Sequence, residues 1–133
     1  MARLILDTTV LIDAERGVGR RLEALIGDED EVAIAAITAA ELAVGVELAD
    51  PARREARAAF VAAVLDTVSV EIYDLDVAKA HGQLLADVRR GGRPRGAHDL
   101  VIAATARARG REVVTTDLAG FADLLDVSVR PVH

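Results

Sequence analysis

The chain contains no cysteine and very few aromatic residues, and both gaps exclude classes of function. Without cysteine it has no disulfide, no zinc site built from thiolates and no catalytic thiol, which fits a reducing compartment. Its only aromatic side chains are Phe60, Tyr73 and Phe121, too few for a platform that stacks the bases of a single-stranded nucleic acid. The hydrophobic core must therefore be aliphatic.

A long apolar run is also missing. The first run, Leu4-Ile5-Leu6, is interrupted by Asp7, so the N-terminus does not read as a signal peptide. No stretch approaches the roughly 20 apolar residues needed to span a bilayer. We therefore expect a soluble, cytoplasmic protein with no membrane partner. With 133 residues, 52% of them hydrophobic, we expect one folded domain over residues 1–133 with a proper core.

Positive charge is scarce, and almost all of it is arginine. The formal net charge is −6, and Lys79 is the only lysine. Net charge governs solubility and long-range steering, and it does not exclude a local surface that binds phosphate. Such a surface is offered by one basic cluster around a glycine-rich loop, made of Arg89, Arg90, Arg93 and Arg95. A solvated basic loop without a ligand explains the same cluster equally well.

Apolar β-branched runs alternate with helical patterns along the chain. The runs predict five strands, at residues 3–6, 32–36, 68–72, 112–115 and 127–130. The helical patterns between them cover residues 9–16, 20–26, 38–48, 51–65, 77–88, 97–109 and 118–125. Alternation of this kind predicts an α/β fold in three layers, with a five-stranded, mostly parallel sheet flanked by helices.

Acidic residues occur where such a fold brings side chains together. Asp7 and Asp117 each end an apolar strand, and Glu41 and Asp99 lie in the opening turns of predicted helices. In an open parallel sheet, ligands bind outside the carboxyl ends of the strands. Two carboxylates about 4 Å apart repel by roughly 4 kcal/mol at an effective dielectric near 20. Either some of these acids are protonated or a hard cation such as Mg²⁺ lies among them.

Each acid also has a purely structural explanation. Asp7 and Asp117 are suitable helix caps, and Asp99 is favoured near a helix N-terminus by the helix dipole. Thr38-Ala39-Ala40-Glu41 has the sequence of a capping box, in which the glutamate reaches back to the cap residue. His98, next to Asp99, invites a metal-binding interpretation but is more simply incidental. Only the joint placement of the acids favours a functional site.

Four segments of the chain resemble the acidic motifs of PIN-domain proteins, in order and at the family's spacing. They are residues 4–13, 38–42, 93–106 and 114–121. A short chain of this kind resembles the VapC toxins of bacterial toxin–antitoxin pairs. The resemblance implies an endoribonuclease that depends on Mg²⁺ or Mn²⁺, forms a homodimer and is inhibited by a VapB-type antitoxin.

The same resemblance assigns roles to residues of this chain. Asp7 and Asp99 become the principal metal ligands, and Asp117 and Glu41 complete the catalytic acidic site. Beyond the resemblance, our hypothesis is that Thr9 or Thr116 hydrogen-bonds a carboxylate or the scissile phosphate. The arginine cluster surrounds a glycine-rich loop that leads directly to Asp99, and we expect it to position RNA. Many relatives carry a further acid just after the fourth motif, where this chain has a glycine at position 120, which counts against a second metal ion.

Two alternatives to a ribonuclease remain open from the sequence. A receiver-type signalling domain is also a small parallel α/β unit with an acidic Mg²⁺ pocket. Such a domain places a lysine after a late strand, whereas Lys79 precedes a mid-chain helix. The other alternative is a PIN domain that binds RNA or protein without cleaving it.

Overall fold

The computed structural model describes residues 1–17 and 26–132 as alternating strands and helices. The strands are β1 (Arg3–Leu6), β2 (Glu31–Ala35), β3 (Ser69–Glu71), β4 (Glu112–Thr115) and β5 (Val129–Pro131). The helices in this part of the chain are α1 (Thr8–Arg16), α2 (Ala36–Glu47), α3 (Pro51–Thr67), α4 (Leu75–Gly91), α5 (Ala97–Arg109) and α6 (Leu118–Phe121). The helix expected at residues 20–26 lies almost wholly outside the described residues.

The strands form one five-stranded sheet in the order β3-β2-β1-β4-β5, and all four neighbouring pairs are parallel. The chain first builds outward from β1 through β2 to β3, and it then crosses back to add β4 and β5 on the other side. The direction of winding therefore reverses between β1 and β4, where Leu6 pairs with Val114. A reversal of this kind opens a crevice at the carboxyl ends of the two strands.

Helices cover both faces of the sheet, because successive strand residues point to opposite sides. Ile5 and Val113 face a cluster built with α4 and α5, which includes the fully buried Leu84. Leu4, Leu6 and Val114 face the opposite cluster, which α1, α2 and α3 complete. The core is aliphatic apart from the buried Phe121. The structure thus confirms the predicted three-layer α/β fold with a five-stranded parallel sheet.

Several element boundaries differ from the prediction, and the difference in α2 has consequences for the site. The helix begins at Ala36 with Ala35 as its N-cap, rather than at Thr38. Thr38 is therefore already helical and buried, and the predicted capping box with Glu41 is not formed. The β2 strand runs directly into α2 without a cap side chain, a connection that the sequence pattern does not reveal.

The last predicted helix is also shorter than expected. It ends at Phe121, because Ala122 adopts an extended conformation and Asp123 and Asp126 have positive φ angles of 63° and 57°. Extended backbone at Ala122 and left-handed backbone at Asp123 are incompatible with a continuous helix to Leu125.

An ion-pair network ties the edge strand β3 to the end of α5 and the start of β4. Arg109 Nε and Arg111 Nη2 each lie 3.0 Å from a carboxylate oxygen of Glu71. Arg111 also donates to the backbone carbonyls of Leu4 and Glu31. The Arg111 side chain is only 7% exposed, so this network is largely removed from solvent.

Across residues 1–17 and 26–132, no helix has both the length and the apolar character needed to cross a membrane.

Candidate active site

The acids predicted from the sequence lie around the crevice between β1 and β4. Asp7 follows β1 directly, and its backbone N–H donates to the carbonyl of Val114 in β4 at 2.9 Å. Asp117 lies two residues beyond the end of β4, in the turn before α6. Open parallel sheets bind ligands at the point where the direction of winding reverses, and these acids lie at that point.

Asp7 is buried, with 2% of its surface exposed, and it does not cap α1 with its side chain. Its Oδ2 instead accepts two hydrogen bonds of 2.8 Å, from the hydroxyls of Thr9 and Thr115. Burial raises the pKa of the Asp7 carboxyl, although these hydroxyls oppose the shift. The structural explanation as a helix cap therefore fails for Asp7, and its carboxylate is held rigidly at the crevice.

Asp117 is exposed and combines a capping role with a place at the site. Its Oδ1 accepts from the backbone N–H of Gly120 at 3.1 Å, and its own N–H donates to the Thr115 hydroxyl at 2.9 Å. Thr115 therefore links the two strand-end acids, since its hydroxyl also donates to Asp7. These two hydrogen bonds shape the turn after β4 so that it presents Asp117 to the crevice.

Glu41 lies in the second turn of α2, not in its first turn as the sequence indicated. Its Oε1 accepts from the hydroxyl of Thr8 at 2.9 Å, and Thr8 in turn lies 3.2 Å from the hydroxyl of Thr38. Its Oε2 lies 3.5 Å from Nδ1 of His98. Glu41 thus connects the start of α1 with the start of α5.

Asp99 occupies the first turn of α5 and is half-buried, as its sequence context predicted. Burial and the negative charges of Asp7, Asp117 and Glu41 raise the pKa of its carboxyl to about 6. Since all three other acids contribute to this shift, the structure places the four within electrostatic reach of one another. The site carries excess negative charge that a cation would relieve.

The surroundings of Asp99 leave room for a cation. A Cβ atom at position 120 would lie 2.9 Å from Asp99 Oδ2 and 2.8 Å from Asp117 Oδ2, so both oxygens border the gap that Gly120 leaves. A Cβ at position 96 would lie 3.0 Å from the same Asp99 oxygen. Hard carboxylate oxygens around such a gap suit Mg²⁺ or Mn²⁺. The residues present therefore fit a divalent cation.

The acids do not, however, form a closed ligand set. Among the described residues, no three histidine or acidic side chains converge closely enough to hold an ion as they stand. One oxygen of Asp7 is turned to two hydroxyls, and one oxygen of Asp117 is turned to the Gly120 amide. The arrangement is an open acidic crevice in which one oxygen of Asp99 and one of Asp117 border the gap at Gly120.

Hydroxyl groups around the acids were only partly predictable. The structure places Thr9 against Asp7 and Thr116 against Thr9, at 3.2 Å between the two hydroxyls. The sequence did not single out Thr8, which holds Glu41, or the buried Thr38 behind it. One signal for Thr8 was available, because Thr8 directly follows a strand-end acid. The order Asp-Thr-Thr at residues 7–9 is the reverse of the order Thr-Thr-Asp at residues 115–117.

The predicted RNA-binding arginines divide into two groups. Arg89 and Arg90 are exposed in the last turn of α4, and Arg90 pairs with Asp87 of the same helix. Arg93 is exposed and donates to the carbonyl of Ala119 at 2.7 Å. Arg95 is half-buried and donates to the carbonyls of Gly120 and Ala122, so its guanidinium is engaged with protein backbone.

The fold and the site together define an α/β domain with an open acidic crevice at its switch point. Residues 4–124 match the PIN domain family. The chain therefore belongs to the PIN domain family, and the receiver-domain alternative is set aside.

Named relatives and solved structures agree with this assignment. Over 115 residues the chain is 39% identical to "Ribonuclease VapC5" of Mycobacterium tuberculosis, covering 85% of this chain and 82% of that protein. It is 29% identical over 122 residues to "tRNA(fMet)-specific endonuclease VapC" of Shigella flexneri, covering 91% of each. A crystal structure of VapBC-5 from Mycobacterium tuberculosis, a member of the VapBC family of toxin–antitoxin systems, superposes with a TM-score of 0.81 at 32% identity. That match covers 99% of this chain and 100% of the other.

Proposed function

We propose that this chain is a metal-dependent endoribonuclease that hydrolyses RNA phosphodiester bonds as the toxin of a type II toxin–antitoxin pair. The observation that carries the proposal is the gathering of Asp7, Glu41, Asp99 and Asp117 at the switch point of a PIN domain. The nuclease names of the relatives support the reaction class. The same names support RNA as the substrate class.

The acids have separate tasks in the proposed reaction. Asp7, Asp99 and Asp117 hold Mg²⁺ or Mn²⁺, with Glu41 orienting a water molecule or accepting its proton. Such an ion, when bound, supplies activation of water and neutralisation of the charge that builds on the phosphate. Thr9 and Thr115 keep the Asp7 carboxylate in one orientation, and Thr8 does the same for Glu41. The exposed hydroxyl of Thr116, which donates to Thr9, lies beside this site and is a candidate to hydrogen-bond a scissile phosphate.

Cleavage of RNA by the purified protein tests the proposal. Wild type and Asp99→Ala are incubated with total cellular RNA in Mg²⁺, in Mn²⁺ and in EDTA. We expect discrete fragments from wild type with metal, and a loss of at least about 100-fold in cleavage rate for the variant or in EDTA. Asp66→Ala, an exposed acid of α3, is the matched control and should cleave like wild type. Undiminished cleavage by Asp99→Ala would refute the site.

The exposed arginines near the crevice are proposed to position the RNA. Arg93 touches the turn that carries Asp117, and Arg89 and Arg90 extend the positive surface along α4. Replacing these residues by glutamine should weaken RNA binding and flatten its dependence on salt, because fewer counterions are released. Arg54→Gln on α3 is the control, and an unchanged salt slope in the triple variant would contradict the idea.

Regulation and assembly belong to the same proposal. The VapBC complex that this chain resembles supports a VapB-type antitoxin as its partner. A homodimer and a cytoplasmic location follow from the family resemblance. Co-expression with a cognate VapB-type antitoxin should suppress cleavage, and light scattering of the purified chain measures the oligomeric state. A PIN domain that binds Mn²⁺ and RNA without producing fragments would instead be a non-cleaving binding module.

A further inference from the structure

Arg95 joins two segments that carry acids of the site. Its Nη1 donates to the carbonyl of Gly120 at 3.3 Å, and its Nη2 donates to the carbonyl of Ala122 at 2.7 Å. Its Nε is buried and has no partner among the described residues. The guanidinium is therefore enclosed by the turn after Asp117 and is directed at protein backbone.

The turn that Arg95 contacts determines where Asp117 lies. The N–H of Gly120 donates to Asp117 Oδ1, and the gap at Gly120 is bordered by carboxylate oxygens of both Asp117 and Asp99. Arg95 itself immediately precedes Gly96, the N-cap of α5, and Asp99 lies in the first turn of that helix. The Arg95 side chain thus hydrogen-bonds the segment before Asp99 to the segment after Asp117.

The turn and the start of α5 share a buried apolar cluster through Phe121 and Leu100, and Arg95 supplies most of the hydrogen bonds between them. Besides Arg95, the described hydrogen bonds between these two segments include only that of the exposed Arg93 to Ala119. A planar guanidinium spans two carbonyls with fixed geometry, whereas an ammonium group is a compact point charge with three rotatable donors on a flexible stem. The length and shape of arginine are therefore what the arrangement requires.

We propose that Arg95 is a positioning residue, which sets the separation of Asp117 and Asp99 and thereby the affinity of the acidic site for a divalent cation. The inference rests on the proposed function for the identity of the ligand. It assigns Arg95 a task different from that of the exposed arginines, which face solvent.

The test measures Mn²⁺ binding by calorimetry in Arg95→Ala, Arg95→Lys and a matched control. The control is Arg54→Ala, which also removes an arginine that donates to two backbone carbonyls, those of Glu47 and Ala49. Binding lost in Asp99→Asn defines the site. We expect Mn²⁺ affinity to fall about tenfold in Arg95→Ala, as for other residues behind a metal ligand, and by less in Arg95→Lys. Arg54→Ala should bind Mn²⁺ like wild type.

Kinetics separate positioning from RNA contact. At a fixed, subsaturating Mn²⁺ concentration, kcat should fall by a similar factor in Arg95→Ala, while KM for RNA and its salt dependence stay unchanged. Mn²⁺ affinity within twofold of wild type in the folded Arg95 variants would overturn the inference. So would a raised KM with a flatter salt dependence and unaltered Mn²⁺ affinity. Should Arg95→Ala fail to fold, Arg95→Lys carries the same comparison.

The outcomes for wild type separate this inference from the proposed function. A wild-type protein that binds Mn²⁺ but does not cleave RNA would contradict the proposed ribonuclease activity. The comparison of Mn²⁺ affinities would then still test the role of Arg95. A wild-type protein that binds no Mn²⁺ would overturn both.

Discussion

At the scale of single residues, the acids of the crevice are held by different kinds of neighbour. Hydroxyl groups orient Asp7 and Glu41, whereas Asp117 is held by a backbone amide and by the Thr115 hydroxyl beneath it. Among the described residues, no side chain donates a hydrogen bond to Asp99, and burial and the neighbouring acids raise the pKa of its carboxyl to about 6. Its negative charge is therefore costly when no cation is present.

The raised pKa of Asp99 predicts how the metal-free protein responds to pH. Its folded-state pKa of about 6 exceeds the unfolded value of 3.8. At a pH between these two values, the folded state keeps a proton that the unfolded state has lost. The contribution of the Asp99 carboxyl to the free energy of unfolding is fully present below pH 3.8 and is lost as the pH rises through 6. Asp99→Asn should thus be more stable than wild type at pH 7.5, by about 1 kcal/mol after allowance for solvent screening.

Urea denaturation in EDTA at pH 4.5 and pH 7.5 measures this difference. The advantage of Asp99→Asn should shrink at the lower pH, where the wild-type carboxyl is protonated in the folded state. Asp66→Asn, on the exposed side of α3, should show no such pH-dependent advantage. An Asp99→Asn protein that is less stable than wild type at pH 7.5 would contradict the repulsion among the acids.

Gly120 leads to a second prediction at this scale. Gly120→Ala places a Cβ within 3 Å of carboxylate oxygens of Asp99 and Asp117, so both must move apart. We expect Mn²⁺ affinity to fall about tenfold, with cleavage reduced in parallel. Gly45→Ala in α2 is the control, because its Cβ would come no closer than 3.8 Å to its neighbour. Equal Mn²⁺ affinity in the two variants would show that the gap at Gly120 is not part of the site.

The sequence was informative for residues whose position depends on local pattern. Asp7 and Asp117 end strands that can be recognised from their apolar runs, so their meeting at one sheet edge was predictable. The position of Glu41 within its helix was predicted wrongly, because α2 begins at Ala36, two residues before the apparent cap at Thr38. The partners of Arg95 are carbonyls about 25 residues away, which no local pattern encodes.

At the scale of single elements, a glycine inside α4 and the glycine that caps its C-terminus have opposite roles. Gly82 lies within the helix with open space around it, and Gly92 ends the helix at a φ of 72°. Gly82→Ala should stabilise the protein by about 0.5–1 kcal/mol through the lower entropy of its unfolded chain. Gly92→Ala should destabilise it by about 1 kcal/mol, since a left-handed backbone is strained with a Cβ. Thermal unfolding of the two variants should give shifts of opposite sign.

Element types were predicted more reliably than element ends. All five strands occur where apolar runs predicted them, and Gly110 ends α5 in a left-handed conformation as its sequence indicated. The stretch after Asp117 was assigned too much helix, because the positive φ angles at Asp123 and Asp126 depend on how the chain returns to β5. The strand order was not predictable either, since it depends on contacts between elements far apart in the chain.

At the scale of the whole molecule, a substitution in the ion-pair network at Glu71 should change the free energy of unfolding without changing RNA cleavage. Glu71→Gln leaves Arg109 and the largely buried Arg111 without their shared carboxylate, and we expect a loss of about 1–3 kcal/mol. Cleavage per folded molecule should be unchanged, because none of the four acids belongs to this network. Urea denaturation and RNA cleavage on the same preparations measure both quantities.

The exposed ion pair between Arg3 and Glu31 is the matched control for this change. Both side chains are about half exposed, so Glu31→Gln should alter stability by less than about 0.5 kcal/mol. Equal losses in the two variants would mean that the enclosed network contributes no more than a solvated surface pair.

The reversal of winding between β1 and β4 also has a consequence for biosynthesis. The crevice needs Asp7 from the beginning of the chain and Asp117 from near its end, and the two strands that carry them are direct neighbours. A nascent chain that stops before residue 112 lacks β4 and the turn that presents Asp117. The ribosome therefore completes the acidic site only after it has added residue 117, and a shorter translation product lacks the assembled centre.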